Sequence, residues 1–130
     1  QVRQVLDYAV SVIPREKILM GAPLYGYDWT LPYVEGGPFA KRLAPQEAVE
    51  LAEREGVQIS YDLEAQAPYF YYTDDQGKNH VVWFENEQSM QAKFNLVKEY
   101  NLQGIAYWVL GQPFPQNWSL LESHFQIRKL

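Results

Sequence analysis

A chain of 130 residues with 47% hydrophobic side chains carries enough apolar surface for one packed domain, which excludes a disordered tail. Its net charge of -5 comes with only 11 Lys and Arg, scattered along the sequence, and that argues against a nucleic-acid partner, because neutralising phosphates takes clustered cations. There is no cysteine for a disulfide or thiolate metal site, and no long apolar run or basic leader to engage a membrane, so any export signal is expected upstream of residue 1.

The first element is an amphipathic helix. Val2, Val5, Leu6, Ala9, Val10 and Ile13 recur at helical spacing to make one apolar stripe, and Pro14 ends it. It starts on the first residue without a cap, which suggests a fragment boundary. A polar link, Arg15-Glu-Lys17, leads into a short apolar strand over about 17–24, with Pro23 expected near its exit because proline cannot donate to a ladder. Thr30 to Lys41 reads as a loop rich in Pro and Gly. A helix follows, with Pro45 at its first position, Glu47 and Glu50 in its first turns and Gly56 as its stop. Strand candidates lie at 57–61, 69–73 and 80–84. The last two flank Asp74-Asp-Gln-Gly-Lys-Asn79, a turn in which Gly77 is free to take positive φ, and they form an antiparallel hairpin. Glu87 to Tyr100 is a second amphipathic helix, with Met90, Phe94 and Val97 on one face. It turns through Leu102-Gln-Gly104 into a second apolar strand, and Asn117 is placed to cap a last helix through Phe125.

Both apolar strands end on aromatic residues and a glycine, in Leu24-Tyr-Gly-Tyr-Asp-Trp29 and Ala106-Tyr-Trp-Val-Leu-Gly111. This is the pattern of buried parallel strands that deliver rings to the mouth of a sheet or barrel. Two such strands do not close a barrel. With ten Tyr, four Trp and six Phe, 15% of the chain is aromatic. Such rings serve as sheet and core residues, or as the flat faces on which sugars stack, and composition does not choose between the two.

In this order, these segments resemble glycoside hydrolase family 18. Leu24–Trp29 is similar to the family's seventh barrel strand and exit loop, and residues 30–85 to the α+β domain inserted after it. Val82-Trp-Phe-Glu85 with Ser89 and Lys93 resembles the return from that insertion, and Ala106–Gly111 the eighth strand. Pro68-Tyr-Phe-Tyr-Tyr72, His80-Val-Val-Trp-Phe-Glu85 and Gly111-Gln-Pro-Phe-Pro-Gln-Asn-Trp118 are most similar to the bacterial spore peptidoglycan N-acetylglucosaminidase branch. The resemblance implies an α/β chain with an inserted α+β module: residues 1–29 and 86–130 as the seventh and eighth strands of a partial TIM (β/α)8 barrel, and 30–85 as the chitinase insertion domain.

It also implies a parent glycosidase acting on N-acetylglucosamine-containing glycan, spore-cortex peptidoglycan or chitin, in a spore-associated or cell-wall setting. No metal or organic cofactor is implied. The family's mechanism is retaining and substrate-assisted: a Glu protonates the leaving oxygen while the substrate's acetamido carbonyl attacks the anomeric carbon. The acid belongs to an Asp-x-x-Asp-x-Glu run on the fourth strand. The aspartates here, at 7, 28, 62, 74 and 75, provide no such run, nor does Asp62-Leu-Glu64, so no catalytic residue is expected in this chain and the chain alone is expected to be inactive. Trp108 is the expected sugar-floor residue, and Tyr25, Tyr27, Asp28 and Trp29 the expected cleft wall; many family members carry an arginine where Tyr27 stands. His80 and His124 are expected to be structural, too isolated for a metal pair. Two other readings stay open: a chitinase-like lectin that keeps the aromatic cleft without the acid, and a structural module that assembles with itself or with the remainder of a barrel.

Overall fold

Two sheets organise the chain, and the computed structural model describes them over residues 1–127. The elements are α1 (Val2–Val12), a 3-10 turn at Arg15–Lys17, β1 (Leu19–Pro23), β2 (Gly26–Leu31), β3 (Lys41–Leu43), α2 (Pro45–Glu55), β4 (Ser60–Asp62), β5 (Ala67–Thr73), β6 (Asn79–Trp83), α3 (Glu87–Glu99), β7 (Gly104–Trp108) and α4 (Pro115–His124). The segment expected to run from 86 to 130 is followed to residue 127; its last three residues lie outside the described ones.

β1 and β7 form a parallel pair, in register from Leu19 opposite Gly104 to Pro23 opposite Trp108. Their sequences alternate in burial. Met20 and Ala22 of β1 are buried and, with Ile105 and Tyr107 of β7, meet helices α1, α3 and α4 in two apolar clusters, one around Leu6 and Val97 and one around Phe94 and Phe114. The opposite face carries Leu19, Gly21, Ala106 and Trp108, all exposed. The α1 stripe is only partly used: Leu6 is buried, whereas Val2, Val5 and Ile13 stay exposed.

The second sheet is wholly antiparallel, in the order β3-β2-β6-β5-β4. α2 covers one face, packing Ala48 and Ala52 against Leu43, Phe70, Val82 and Phe84. The helix starts where expected, with Pro45 at its first position and the Glu47 carboxylate accepting the Ala44 N–H at 2.6 Å, and it stops at Gly56, whose φ of 65° is the left-handed conformation that favours glycine. The β5–β6 turn closes on Asp74, whose Oδ1 accepts the N–H groups of both Gln76 and Lys78 at 2.9 Å.

Three expectations are corrected. Residues 26–29, expected as the exit of the first apolar strand, are the start of β2 and pair with β3 and β6, because Gly-Tyr-Asp-Trp-Thr-Leu alternates in the manner of a two-faced strand. The loop expected from Thr30 to Lys41 is shorter, since Lys41–Leu43 forms the edge strand β3. Asn117 does not cap the last helix. α4 begins at Pro115, and Asn117 lies inside it, fully buried, with its Oδ1 3.3 Å from the Tyr107 hydroxyl that donates to it.

Candidate functional site

Trp108 closes β7 at its C-terminal end, beside the end of β1, where the Leu24 N–H donates to the Trp108 carbonyl at 2.8 Å. The Trp108–Val109 peptide is cis. The indole is 67% exposed, and the residue shares its sheet face with Gly21 and Ala106, neither of which has a side chain large enough to shield it. Neighbouring positions point the other way: Tyr107 is half-buried against Trp118, and burial pushes its phenol above the usual tyrosine range.

The chain leaves β1 through the fully buried Leu24 and runs into a row of rings. The Arg42 guanidinium lies 4.7 Å above the Tyr25 ring. Tyr25 meets Tyr27 edge-on at 5.3 Å, and Tyr27 meets Trp29 at 6.0 Å. Tyr27 and Trp29 stand on the face of the five-stranded sheet that α2 leaves open. Across the strands Tyr27 is in register with Trp83 and then Tyr69, and Trp29 with Val81 and then Tyr71. Tyr69 and Trp83 stack with centroids 4.6 Å apart, and Tyr71 packs edge-on against Tyr69 at 5.9 Å. The open face is therefore an aromatic sheet with phenol hydroxyls and an indole at its surface.

Three of its rings, Tyr69, Tyr71 and Trp83, were not singled out from sequence. The signal was present in the alternation of Ala-Pro-Tyr-Phe-Tyr-Tyr-Thr, which puts Phe70 and Tyr72 on one side and Tyr69 and Tyr71 on the other. The structure brings Tyr25, Tyr27 and Trp29 together. It removes Asp28 from their company, for the same reason of alternation: Asp28 faces the α2 side, is 9% exposed, and accepts hydrogen bonds from the Tyr72 hydroxyl at 2.6 Å and from His80 Nδ1 at 2.8 Å. Trp108 is not one of the paired rings.

The remaining buried carboxylate is Glu85, at the exit of β6. Its Oε2 accepts the Ser89 hydroxyl at 2.6 Å and Lys93 Nζ at 2.9 Å, and Ser89 is at the same time half of a reciprocal cap with Asn86 at the start of α3. Glu85 and Asp28 are thus both committed to internal partners. Among the described residues no group of His, Asp and Glu is arranged to hold a metal ion, and no helix is long and apolar enough to cross a membrane.

Residues 2–112 match the family model for glycosyl hydrolases family 18. The chain belongs to that family. It is 54% identical over 128 residues to the cortical fragment-lytic enzyme of Bacillus subtilis (strain 168), covering 98% of this chain and 30% of the relative. The crystal structure of the spore cortex-lytic enzyme SleL of Bacillus megaterium QM B1551 superposes with a TM-score of 0.96 at 60% identity, over 99% of this chain and 30% of that one. A chitinase from Chromobacterium violaceum superposes with a TM-score of 0.82 at 34% identity, over 95% of this chain and 37% of that one. The chain thus spans about a third of the length of these family 18 relatives, and its mixed α/β architecture is that of a part of a larger enzyme resembling the chitinase insertion domain and its surroundings.

Proposed function

We propose that this chain is the C-terminal portion of a spore-associated glycosidase that cleaves N-acetylglucosamine-containing glycan, peptidoglycan before chitin, with retention through the substrate's own acetamido group. In this reading β1 and β7 are the seventh and eighth strands of a (β/α)8 barrel whose other strands, with the acid, lie outside the sequence; the residues around 25–85 are the inserted domain. The observation that carries it is Trp108, an indole left open at the C-terminal end of a parallel strand, the end at which barrel enzymes build their active sites. Beneath a sugar ring it supplies a flat apolar floor that favours the distorted ring geometry preceding the oxocarbenium-like state. Tyr25, Tyr27 and Trp29 offer a wall for further sugars of the same chain. The relatives' names, which refer to spore cortex and its fragments, support peptidoglycan as the substrate class and the spore as the setting.

The test is turnover of muropeptide-containing glycan by the intact protein. Trp108→Ala is expected to lower kcat/KM by at least about tenfold, equivalent to ~1.4 kcal/mol of transition-state stabilisation, with the fall mainly in kcat. An intact protein that binds glycan but releases no reducing ends would overturn the glycosidase reading in favour of a lectin. An unchanged kcat/KM in the variant would remove Trp108 from the site.

The same reading predicts the behaviour of residues 1–130 expressed alone. Leu19, Gly21, Ala106 and Trp108 form a bare sheet face with unpaired strand edges on both sides, and Val5 and Val12 are exposed on α1. Light scattering is expected to report oligomers. A stable monomer would mean that these strands need no barrel around them.

A further inference from the structure

On the α2 side of the five-stranded sheet lies a polar cluster that the proposed glycan site does not use. His80 on β6 sits between Thr30 of β2 and Tyr72 of β5. Its Nδ1 is 2.8 Å from Asp28 Oδ1, and its Nε2 is 3.0 Å from Asp74 Oδ2. The Tyr72 ring stacks on the imidazole at 4.6 Å and 18°, while its hydroxyl donates to the other oxygen of Asp28. The His80 side chain is 13% exposed, with Asp28 more buried and Asp74 less.

Ionised carboxylates only accept, and a neutral imidazole has a single N–H to give. With one carboxylate oxygen on each ring nitrogen, a neutral ring would turn a lone pair toward an anionic oxygen at hydrogen-bond distance. Both contacts are attractive only when both nitrogens carry protons.

We infer that His80 is held as an imidazolium that fastens the tip of the β5–β6 hairpin, through Asp74, to strand β2, through Asp28, and that loss of its proton releases the tip. The clamp fixes the strand whose other face carries Tyr27 and Trp29, so His80 is a positioning residue for that aromatic row. The inference does not depend on which glycan is bound or on whether the parent is catalytic.

The charged and titratable neighbours come from every element around the ring. They are Asp28 on β2 with Lys41 opposite it on β3, Tyr72 on β5 with Glu55 of α2 near it, and Asp74, Asp75 and Lys78 in the turn. Burial works against the charged ring, but the hydrogen bonds to Asp74 and Asp28 outweigh it and hold His80 above the usual histidine range. Asp74 is held below the usual carboxylate range, first by the Lys78 N–H and then by His80. The signs then follow. The raised histidine contributes stability in full below the unfolded value of ~6.5, and that contribution is lost as pH rises through the folded value. The lowered Asp74 contributes above ~3.9 and loses its contribution only as pH falls through its folded value. Between these limits the clamp is closed. It opens on the alkaline side at Nε2, because Asp74 is the more exposed partner and Asp28 is also held by Tyr72.

The experiment is a pH titration of ring nitrogens by NMR on the intact, histidine-labelled protein, with His80→Gln used to assign the signals. Two slowly exchanging ring N–H signals at pH 7 are expected for His80, with a midpoint above ~6.5 and faster amide exchange at Gln76 and Lys78 once it is passed. Asp74→Asn replaces an acceptor by an amide that donates to a neutral Nε2, and is expected to move the midpoint below that of the unaltered protein. A single ring N–H at pH 7 with a midpoint at or below the ordinary value would overturn the inference, and so would a midpoint that Asp74→Asn leaves in place. Glycan turnover is not read, so failure here is separate from failure of the glycosidase reading.

Discussion

Replacing Gly26 by alanine is expected to destabilise the five-stranded sheet by about 3 kcal/mol or more, the upper end of what one added methyl costs in a packed interior. Gly26 opens β2 and is buried on the α2 side, in register with Leu43. A Cβ at this position would lie 2.6 Å from Phe84 Cβ, 2.6 Å from the Trp83 carbonyl oxygen and 2.9 Å from Phe84 Cα. These are contacts with backbone or with the first side-chain atom, so no rotamer change relieves them. Either the β2–β6 ladder separates or the strand shifts, and both disturb the pairing that carries Tyr27 opposite Trp83. The glycine is needed for close approach, since it is not among the residues with positive φ. In the intact protein, calorimetry should show the unit containing this sheet melting roughly 12 °C or more lower. Shortening Phe84 should not rescue it, because the Trp83 carbonyl remains. A variant that melts within a degree or two of the unaltered protein would mean that β2 and β6 do not approach this closely.

That glycine illustrates what could and could not be read from the chain. The helices were legible because each has its own local signals: the apolar spacing and Pro14 for α1, Pro45 and Gly56 for α2, and Met90, Phe94 and Val97 for α3. The β5–β6 hairpin was legible from Asp74 and Gly77, whose turn chemistry is local as well. What was missed is set by partners distant in sequence. β3 is three residues long and exists because Lys41–Leu43 finds β2. Residues 26–29 alternate as a strand should, but adjacency to the first apolar strand suggested an exit loop. That misreading put Asp28 beside Tyr27 and Trp29, when alternation alone turns it to the other face. His80 read as isolated for a similar reason: Asp28 is 52 residues away in the chain and 2.8 Å away in space. Trp108 was legible as an aromatic strand end. That the positions next to it on this face, Gly21 and Ala106, are small emerges from the pairing of β1 with β7.

Replacing Lys93 by methionine is expected to cost about 3 kcal/mol, because it strands a charge. Glu85 is 7% exposed and Ser89 is fully buried, so the carboxylate is largely screened from solvent. Methionine matches the length of the lysine stem and keeps its packing, and what is lost is the charged donor 2.9 Å from Oε2. The carboxylate then retains only the Ser89 hydroxyl at 2.6 Å, a neutral donor that also serves the cap of α3 by accepting the Asn86 N–H. If the cost comes from the stranded charge and not from a lost attraction, removing the charge should recover it. Glu85→Gln keeps the shape and can still accept from Ser89, so the double variant is expected to be more stable than Lys93→Met by about 2 kcal/mol. Denaturant midpoints of the four proteins in the cycle measure this directly. Equal stabilities for Lys93→Met and the double variant would show that Glu85 is not confined to this pair, and that another group of the intact protein reaches it. Because the network sits where β6 hands the chain to α3, its loss should be felt at both ends: in the sheet that presents Tyr27 and Trp29, and in the helix whose Phe94 packs beside Ala22 and Leu24 of the segment that meets Trp108. A mutation distant from any sugar ring is thus expected to loosen both halves of the proposed site together.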